Sequence, residues 1–125
     1  MPHLPGTAEE IRSRVPAAQD AFAYTRENVL QGGLVDAALK ELCFRYVAGE
    51  ADVSDRSRFV GRERAALDWA HAIAWDSDRA DDELWARLHK LFGDDELVEL
   101  GCAIGFELGQ QHWRRTLGLS GRDIE

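Results

Sequence analysis

Apolar side chains recur along the chain at spacings of three and four residues, which is the period of an amphipathic helix. In residues 37–49 the apolar positions of this pattern are Leu39, Leu42, Cys43, Tyr46 and Val47. Alternating β-branched runs, which would indicate strands, are missing, and isoleucine, valine and threonine are sparse beside alanine, leucine, glutamate and arginine. The pattern predicts an all-α fold.

Local capping signals predict two N-terminal helices within residues 7–30. Thr7 stands at a cap position with Glu10 three residues on, which is the spacing of a capping box. Pro16 suits the first position of a second helix, because its fixed φ and missing N–H cost nothing there. Gly32 and the glycine after it would then stop that helix.

Acidic residues stand before three of the later helical segments, where their side chains can cap the first turn. The candidate caps are Asp36, Asp81 or Asp82, and Asp94 or Asp95. A further helix is expected over residues 62–75, a loop over residues 49–61, and a frayed tail over residues 120–125. Gly118 closes the last and longest helix. The sequence therefore predicts a single domain of five or six helices over residues 1–125.

Composition narrows the classes of partner. The 125 residues carry 23 acidic and 15 basic side chains, for a net charge of −8, which argues against binding of nucleic acid or anionic membrane. No apolar run approaches the roughly 20 residues of a membrane span, and the N-terminus has no apolar leader. The two cysteines, Cys43 and Cys102, lie far apart in sequence, so a disulfide framework is not expected. We expect a cytoplasmic protein.

Three glycines, Gly101, Gly105 and Gly109, are spaced four apart on the last predicted helix and so share one face. Each costs about 1 kcal/mol relative to alanine in a helix interior. The spacing favours close approach of another helix, from within the chain or across a subunit interface. A groove kept open for a ligand is the alternative.

The same helix carries an unusual group of polar and aromatic residues between Glu107 and Trp113. His112 falls on the face of Gly109, so it is expected to be packed. There it could be a hydrogen-bonded core group or a general acid–base, because its pKa lies near neutrality. Glu107 and Gln111 share a face and would form a solvated stripe if that face is exposed. Trp113 suits a subunit contact.

Two other positions are candidates for proton transfer. Glu41 pairs with Arg45 one turn on, or else turns its carboxylate into a cavity. His71 lies near Asp68 and Trp75 on one helix face, which is a common surface arrangement and the weaker candidate for catalysis. Histidine pairs with zinc spacing and C-x-x-C motifs are both missing, so neither a metal nor a cofactor is predicted.

Several segments together resemble a known family. Residues 62–119 contain "RERAALDWAHA", an acidic loop, "LFGDDELVEL" and a long helix ending in "TLGL", preceded by "LKELCFRYVAG". Their order and spacing are similar to the carboxymuconolactone decarboxylase / AhpD-like superfamily over about residues 34–119. The resemblance implies an AhpD-like helical domain that assembles into a homotrimer or homohexamer.

The sequence departs from the peroxidase branch of that family. Those members carry C-x-x-C and a histidine shortly after the helix glutamate that Glu41 matches. Here the corresponding residues 49–67 contain neither cysteine nor histidine. Vicinal thiols are needed for one to attack and the other to resolve, so a dithiol peroxidase mechanism is not expected.

The resemblance leaves three functional readings. The first is decarboxylase-like acid–base chemistry on a small organic acid or lactone. It would use Glu41 and His112 in an enclosed pocket, with Gln111 and Trp113 positioning the substrate and Arg45 as its cationic clamp. The second is a non-catalytic oligomeric binding or scaffold module, in which the same polar residues hold helices together. The third and weakest is a thiol-dependent antioxidant that uses Cys43 with Cys102.

Overall fold

The structure is a computed structural model that describes residues 3–122, and within them all regular structure is helical. The α-helices are α1 (Ala8–Ser13), α2 (Pro16–Thr25), α3 (Ala37–Val47), α4 (Gly61–Trp75), α5 (Asp82–Leu91) and α6 (Asp94–Thr116). The predicted all-α fold is confirmed. None of these helices is both long and apolar enough to cross a membrane.

The predicted caps form at most helix starts. Thr7 and Glu10 make a full capping box, with the Glu10 N–H donating to Thr7 Oγ1 at 3.1 Å and the Thr7 N–H to Glu10 Oε1 at 2.9 Å. Pro16 is the first residue of α2. The side chains of Asp36 and Asp81 accept backbone hydrogen bonds at the starts of α3 and α5. These bonds satisfy N–H groups that a helix leaves unpaired at its first turn.

Short π-helical and 3-10 segments lie between several of the α-helices, and the sequence pattern did not predict them. α2 continues directly into a five-residue π-helix, Arg26–Leu30. This π-helix ends two residues before Gly32. The expected loop over residues 49–61 contains two short 3-10 turns. The 3-10 segments are Ala51–Val53, Arg56–Arg58 and Ser77–Arg79. A π-helical turn widens the backbone locally and is frequent at functional sites.

The main core lies where α3, α4, α5 and α6 meet. The largest of its fully buried side chains are Cys43, Leu67, Leu88, Leu100 and Ile104. Burying an aliphatic side chain of this size stabilises a fold by about 1.5–3 kcal/mol. A smaller cluster of Leu30, Phe44 and Ala103 joins the π-helix to α3 and α6.

A buried lysine ties the π-helix to α3 and α6. Lys40 is fully buried on α3, and its Nζ donates to the carbonyl oxygens of Val29 and Gly32 at 2.7 and 2.6 Å. The same Nζ lies 2.9 Å from a carboxylate oxygen of Glu99 on α6. Because all three partners accept from the ammonium group, the buried charge is compensated. The arrangement fixes the backbone just after the π-helix.

The three glycines of α6 differ in their surroundings. A Cβ on Gly101 would lie 2.8 Å from the indole ring of Trp69 on α4, so this glycine permits a close helix approach. A Cβ on Gly105 or Gly109 would meet nothing within 4 Å in the part of the chain that the structure describes. Packing within the chain therefore accounts for Gly101 alone, and a subunit contact at Gly105 and Gly109 stays a prediction.

Candidate functional site

A cavity of about 560 Å³ lies among α1, the α2–π-helix segment, α3, α6 and the chain that follows α6. One part of its lining is apolar and comes from Phe22, Leu30 and Phe44. These residues are buried and connect to the smaller core cluster, and Phe22 also packs on Phe106 with ring centroids 6.0 Å apart. The cavity can therefore accommodate the apolar body of a small ligand.

Charged side chains make up most of the remaining lining, and cations outnumber carboxylates. The arginines are Arg12, Arg26, Arg45, Arg114 and Arg122. The glutamates are Glu41, Glu50 and Glu107. In a chain with a net charge of −8, this local excess of arginine is the opposite of the overall balance. A concave site with such an excess concentrates anions.

Arg122 joins two of these carboxylates. Its two terminal nitrogens donate to the two carboxylate oxygens of Glu41 at 2.6 and 3.0 Å, and its Nε donates to Glu107 at 3.1 Å. The paired, planar geometry is one that guanidinium and carboxylate groups match well. Arg122 thus holds a carboxylate of α3 and a carboxylate of α6 on the same side of the cavity.

The segment after α6 is ordered by further contacts. The backbone oxygen of Ser120 accepts a hydrogen bond from Arg114 Nε at 2.8 Å. A frayed tail was expected from residue 120 onward. Ser120 and Arg122 make these contacts with α6 and α3, and fraying of the tail stays a prediction. Residues 123–125 of the expected tail lie outside the described part of the chain.

Glu107 is the most enclosed carboxylate of the cavity, with 14% of its side chain exposed. Gln111, which is fully buried, donates through Nε2 to Glu107 at 2.8 Å and to the Phe44 carbonyl oxygen at 3.0 Å. Burial raises the pKa of Glu107, although the hydrogen bond from Gln111 and the charge of Arg122 partly oppose the rise. A carboxyl group with a raised pKa beside a cavity is a candidate for proton exchange with a ligand.

Within the described residues, Arg45 is already paired with carboxylates of its own chain, whereas Arg26 is not. Arg45 Nε donates to Glu50 at 2.9 Å, and its Nη2 is hydrogen-bonded to Asp52. Arg26, on the π-helix, makes no ion pair among residues 3–122, and its guanidinium carbon lies 5.3 Å from the Phe22 ring centroid. Arg26 is therefore the better-placed cation for an incoming anion, and the proposed clamp Arg45 is held by its own neighbours.

The structure does not bring Glu41 and His112 together around this cavity. Glu41 lines it, whereas His112 is exposed and is not part of its lining. Within residues 3–122 His112 is exposed, so its expected packing does not come from its own chain. Successive helical residues turn by about 100°, and α6 directs Gln111 rather than His112 inward. Gln111 reaches Glu107, so it positions a carboxylate instead of a ligand. Trp113 contacts Arg12, whose guanidinium carbon lies 5.2 Å from the indole ring centroid.

His71 belongs to a different cluster. Its Nδ1 lies 2.8 Å from the Tyr46 hydroxyl oxygen, and its ring centroid is 5.3 Å from that of Trp75. Burial lowers the pKa of His71. Asp68 does not hold this histidine but binds three arginines, Arg56, Arg64 and Arg87. His71 is not among the residues that line the cavity, so the site gives it no ligand to act on.

Both cysteines are free thiols in different surroundings. Cys43 is fully buried in the main core, and this burial raises the pKa of its thiol to about 12. Cys102 is exposed on α6. A thiol with such a raised pKa is protonated at neutral pH and does not attack peroxides or disulfides. In residues 3–122 no group of three or more histidine, cysteine or acidic side chains is placed to hold a metal ion.

Sequence reasoning missed Glu107, Arg26 and Arg122 as members of the site. The spacing of Glu107 and Gln111 indicated that they share a helix face, but burial of that face depends on α3. Arg122 reaches Glu41 across most of the chain length, which no local pattern reports. No local signal marked Arg26, because the polar residues Glu27 and Asn28 follow it.

No family model, curated protein or solved structure matches the chain. The resemblance to the carboxymuconolactone decarboxylase / AhpD-like superfamily therefore stays a prediction.

Proposed function

We propose that the cavity binds a small organic anion with an apolar body and that Glu107 exchanges a proton with it. The observation that carries this proposal is the combination of an arginine-rich lining with a largely buried glutamate whose pKa is raised. Anion-binding groups alone would indicate a binding site. A carboxyl group whose pKa is raised by burial in the same cavity adds the means for acid–base chemistry.

The ligand would be bound by two kinds of contact, an ion pair at its carboxylate and apolar contacts along its body. The carboxylate of the ligand pairs with Arg26, which lacks a carboxylate partner in the described residues. The apolar body lies against Phe22 and Phe44. Arginine suits this role because its planar guanidinium matches a carboxylate and stays protonated at any physiological pH.

The proton step follows from the position of Glu107. Its carboxylate removes a proton from the carbon beside the ligand carbonyl, so the C–H bond breaks and an O–H bond forms on Glu107. The electron pair moves onto the carbonyl oxygen, where an arginine stabilises the negative charge. Glu107 then returns the proton to carbon. This is the proton transfer of isomerases that act on organic acids and lactones, with Glu107 in place of the expected His112. In a decarboxylation the C–C bond to a carboxylate breaks instead, CO₂ leaves, and the protonated Glu107 supplies the proton to the carbanion.

The same proposal includes the family. Membership in the carboxymuconolactone decarboxylase / AhpD-like superfamily is supported by the segments quoted above, and the glutamate that it matches, Glu41, lines the cavity. Assembly into a homotrimer or homohexamer and a cytoplasmic location belong to this proposal as well.

A second candidate is an anion-binding module without catalysis. Its support is the pairing of Arg122 with both Glu41 and Glu107, which partly compensates the two carboxylates in the absence of a ligand. In this reading the glutamates hold the arginines in place, and no proton moves.

Proton exchange in D₂O separates the two candidates. The full chain is incubated with a panel of small carboxylates and aromatic-derived lactones, and ¹H NMR follows loss of the signal beside the carbonyl. We expect exchange by the native protein, binding without exchange by Glu107→Gln, and native behaviour of the control Arg79→Ala, whose arginine is exposed and paired with Asp76. Binding by the native protein without exchange supports the second candidate. Absence of binding across the panel contradicts both.

A further inference from the structure

An apolar groove of about 400 Å³ lies on the surface formed by α4, α5 and α6, and the proposed anion site does not use it. Its walls are formed by Trp69, Trp85, Leu97, Val98, Gly101 and Cys102. Val98 leaves 66% of its surface exposed, which is a high fraction for a valine in a helix. Exposed apolar surface that is concentrated in one groove indicates a contact with another molecule.

The groove continues along α6 as a face without side-chain cover. Val98, Gly105, Gly109 and His112 recur at helical spacing on this face and are exposed. Gly105 is the central residue of the helix Asp94–Thr116. The two glycines lower the helix propensity, and no group in residues 3–122 occupies the space that they leave.

We infer that this face binds the same face of a second copy of the chain, with the two α6 helices antiparallel around a twofold axis at Gly105. A twofold axis there sets each residue against the residue equally far from Gly105 on the other helix. Gly101 then faces Gly109 of the second copy, and Val98 faces its His112. At the axis Gly105 lies on Gly105 of the second copy, which allows the helices to approach closely, and Gly109 lies over Gly101 and the Trp69 ring that packs against it.

The charges at the two ends of α6 favour a second copy of the chain as the partner and favour antiparallel pairing of the two helices. The first turn of α6 carries Asp94, Asp95 and Glu96. The other end carries His112 and Arg115, both exposed. Antiparallel pairing brings the acidic end of each helix near the basic end of the other and opposes the two helix dipoles favourably. Parallel pairing would place like charges together at both ends.

The same arrangement covers the groove. Because residues 97–102 form the groove wall on α6, the segment of the second copy that lies over it is 108–113. A second copy would thus fill the groove, pack on the uncovered glycines and pair the charged ends of the two helices. The inference does not depend on the proposed chemistry, since Glu107 and the cavity arginines are not part of this groove.

Cysteine cross-linking tests the position of the axis. In a Cys102→Ser background the remaining native thiol, Cys43, is buried and does not interfere. Gly105→Cys meets its own copy at the axis, within the roughly 7 Å that a disulfide between two Cα atoms allows. Gly109→Cys is the matched control, because it meets Gly101 rather than itself. Under mild oxidation we expect a covalent dimer for Gly105→Cys and little or none for Gly109→Cys. Equal cross-linking of the two, or none in either, overturns the proposed axis.

Sedimentation of the uncross-linked protein tests the contact itself. We expect the native chain to contain a dimer as its unit of assembly. Gly105→Glu places two like charges at the axis, so we expect dimer affinity to fall by about 100-fold or more. Since a side chain at this position meets nothing within the described chain, circular dichroism should show the variant folded. A native monomer overturns the proposal, and so does the homotrimer that the family resemblance implies, whereas a homohexamer built from three such dimers agrees with it. A Gly105→Glu variant that still forms the native dimer also overturns it.

Discussion

Arg122 binds the Glu41 carboxylate through both of its terminal nitrogens, at 2.6 and 3.0 Å, while its Nε donates to Glu107. Two carboxylates that would otherwise repel each other across the cavity are therefore held by one shared cation. The hydrogen bonds with Glu41 and the charge of Glu107 raise the pKa of Arg122, despite burial that lowers it. Because Arg122 lies in the segment that follows α6, the position of this segment affects the protonation of Glu107.

Replacing Arg122 with alanine should raise the pKa of Glu107 further. The nearby positive charge that favours its ionised form is lost, while burial and the negative charge of Glu41 remain. A ¹³C NMR titration of the glutamate side-chain carboxyl carbons measures this directly, with Arg79→Ala as a control of equal charge change at an exposed position. An unchanged or lowered pKa of Glu107 in Arg122→Ala would show that this ion pair does not tune the site.

Glu107 should make the folding stability depend on pH in a defined direction. Because burial raises its pKa in the folded state, its contribution to stability is fully present below the unfolded pKa near 4.5 and is lost as pH rises through the folded value. Glu107→Gln lacks this titration. We expect the variant to gain stability relative to the native protein as pH rises from about 4 to 7, by urea unfolding at several pH values. A relative loss of stability with rising pH contradicts the raised pKa.

Breaking the buried pair of Lys40 and Glu99 should destabilise the fold strongly. Lys40→Met leaves the Glu99 carboxylate without its cation and two carbonyl oxygens without their donor. Removing one partner of a buried ion pair costs about 3–5 kcal/mol. Lys90→Met, at an exposed position of α5, is the matched control and should change the free energy of unfolding by less than about 0.5 kcal/mol. Equal effects of the two substitutions would contradict a structural role for Lys40.

Alanine at two glycines of α6 should have opposite effects on the monomer. Gly101→Ala places a Cβ 2.8 Å from the Trp69 ring, so we expect a loss of about 1–3 kcal/mol from overpacking. Gly109→Ala meets nothing in the described chain and should gain up to about 1 kcal/mol of helix propensity. Thermal unfolding at dilute protein concentration distinguishes them. A stabilised Gly101→Ala would show that α4 does not pack closely there.

Helix existence and most helix starts could be predicted because their causes are local. The capping box of Thr7 and Glu10, the position of Pro16, and the caps Asp36 and Asp81 each involve residues within four positions of one another. Such short-range preferences act before any tertiary contact forms. The all-α fold follows from these signals together with the apolar period.

The site could be predicted only in part, because its geometry depends on how helices rotate and meet. Glu41 was expected as a candidate carboxylate in a cavity, and it does line one. His112 lies one residue from Gln111, yet that step carries it from a buried to an exposed position. Arg122 belongs to the site through contacts with distant segments, and the tail composition indicated only fraying. Rotation of α6 and folding back of the tail are tertiary effects that periodicity does not encode.

Binding of a simple anion to the cavity tests the central claim most directly. Benzoate combines a carboxylate with an apolar ring, so its titration into ¹⁵N-labelled protein, followed by amide chemical shifts, probes both halves of the lining. We expect saturable shifts at Arg26, Phe22 and Phe44, strongly weakened in Arg26→Ala and unchanged in Arg79→Ala. Shifts that map to another surface, or that persist undiminished in Arg26→Ala, would contradict an anion site in this cavity.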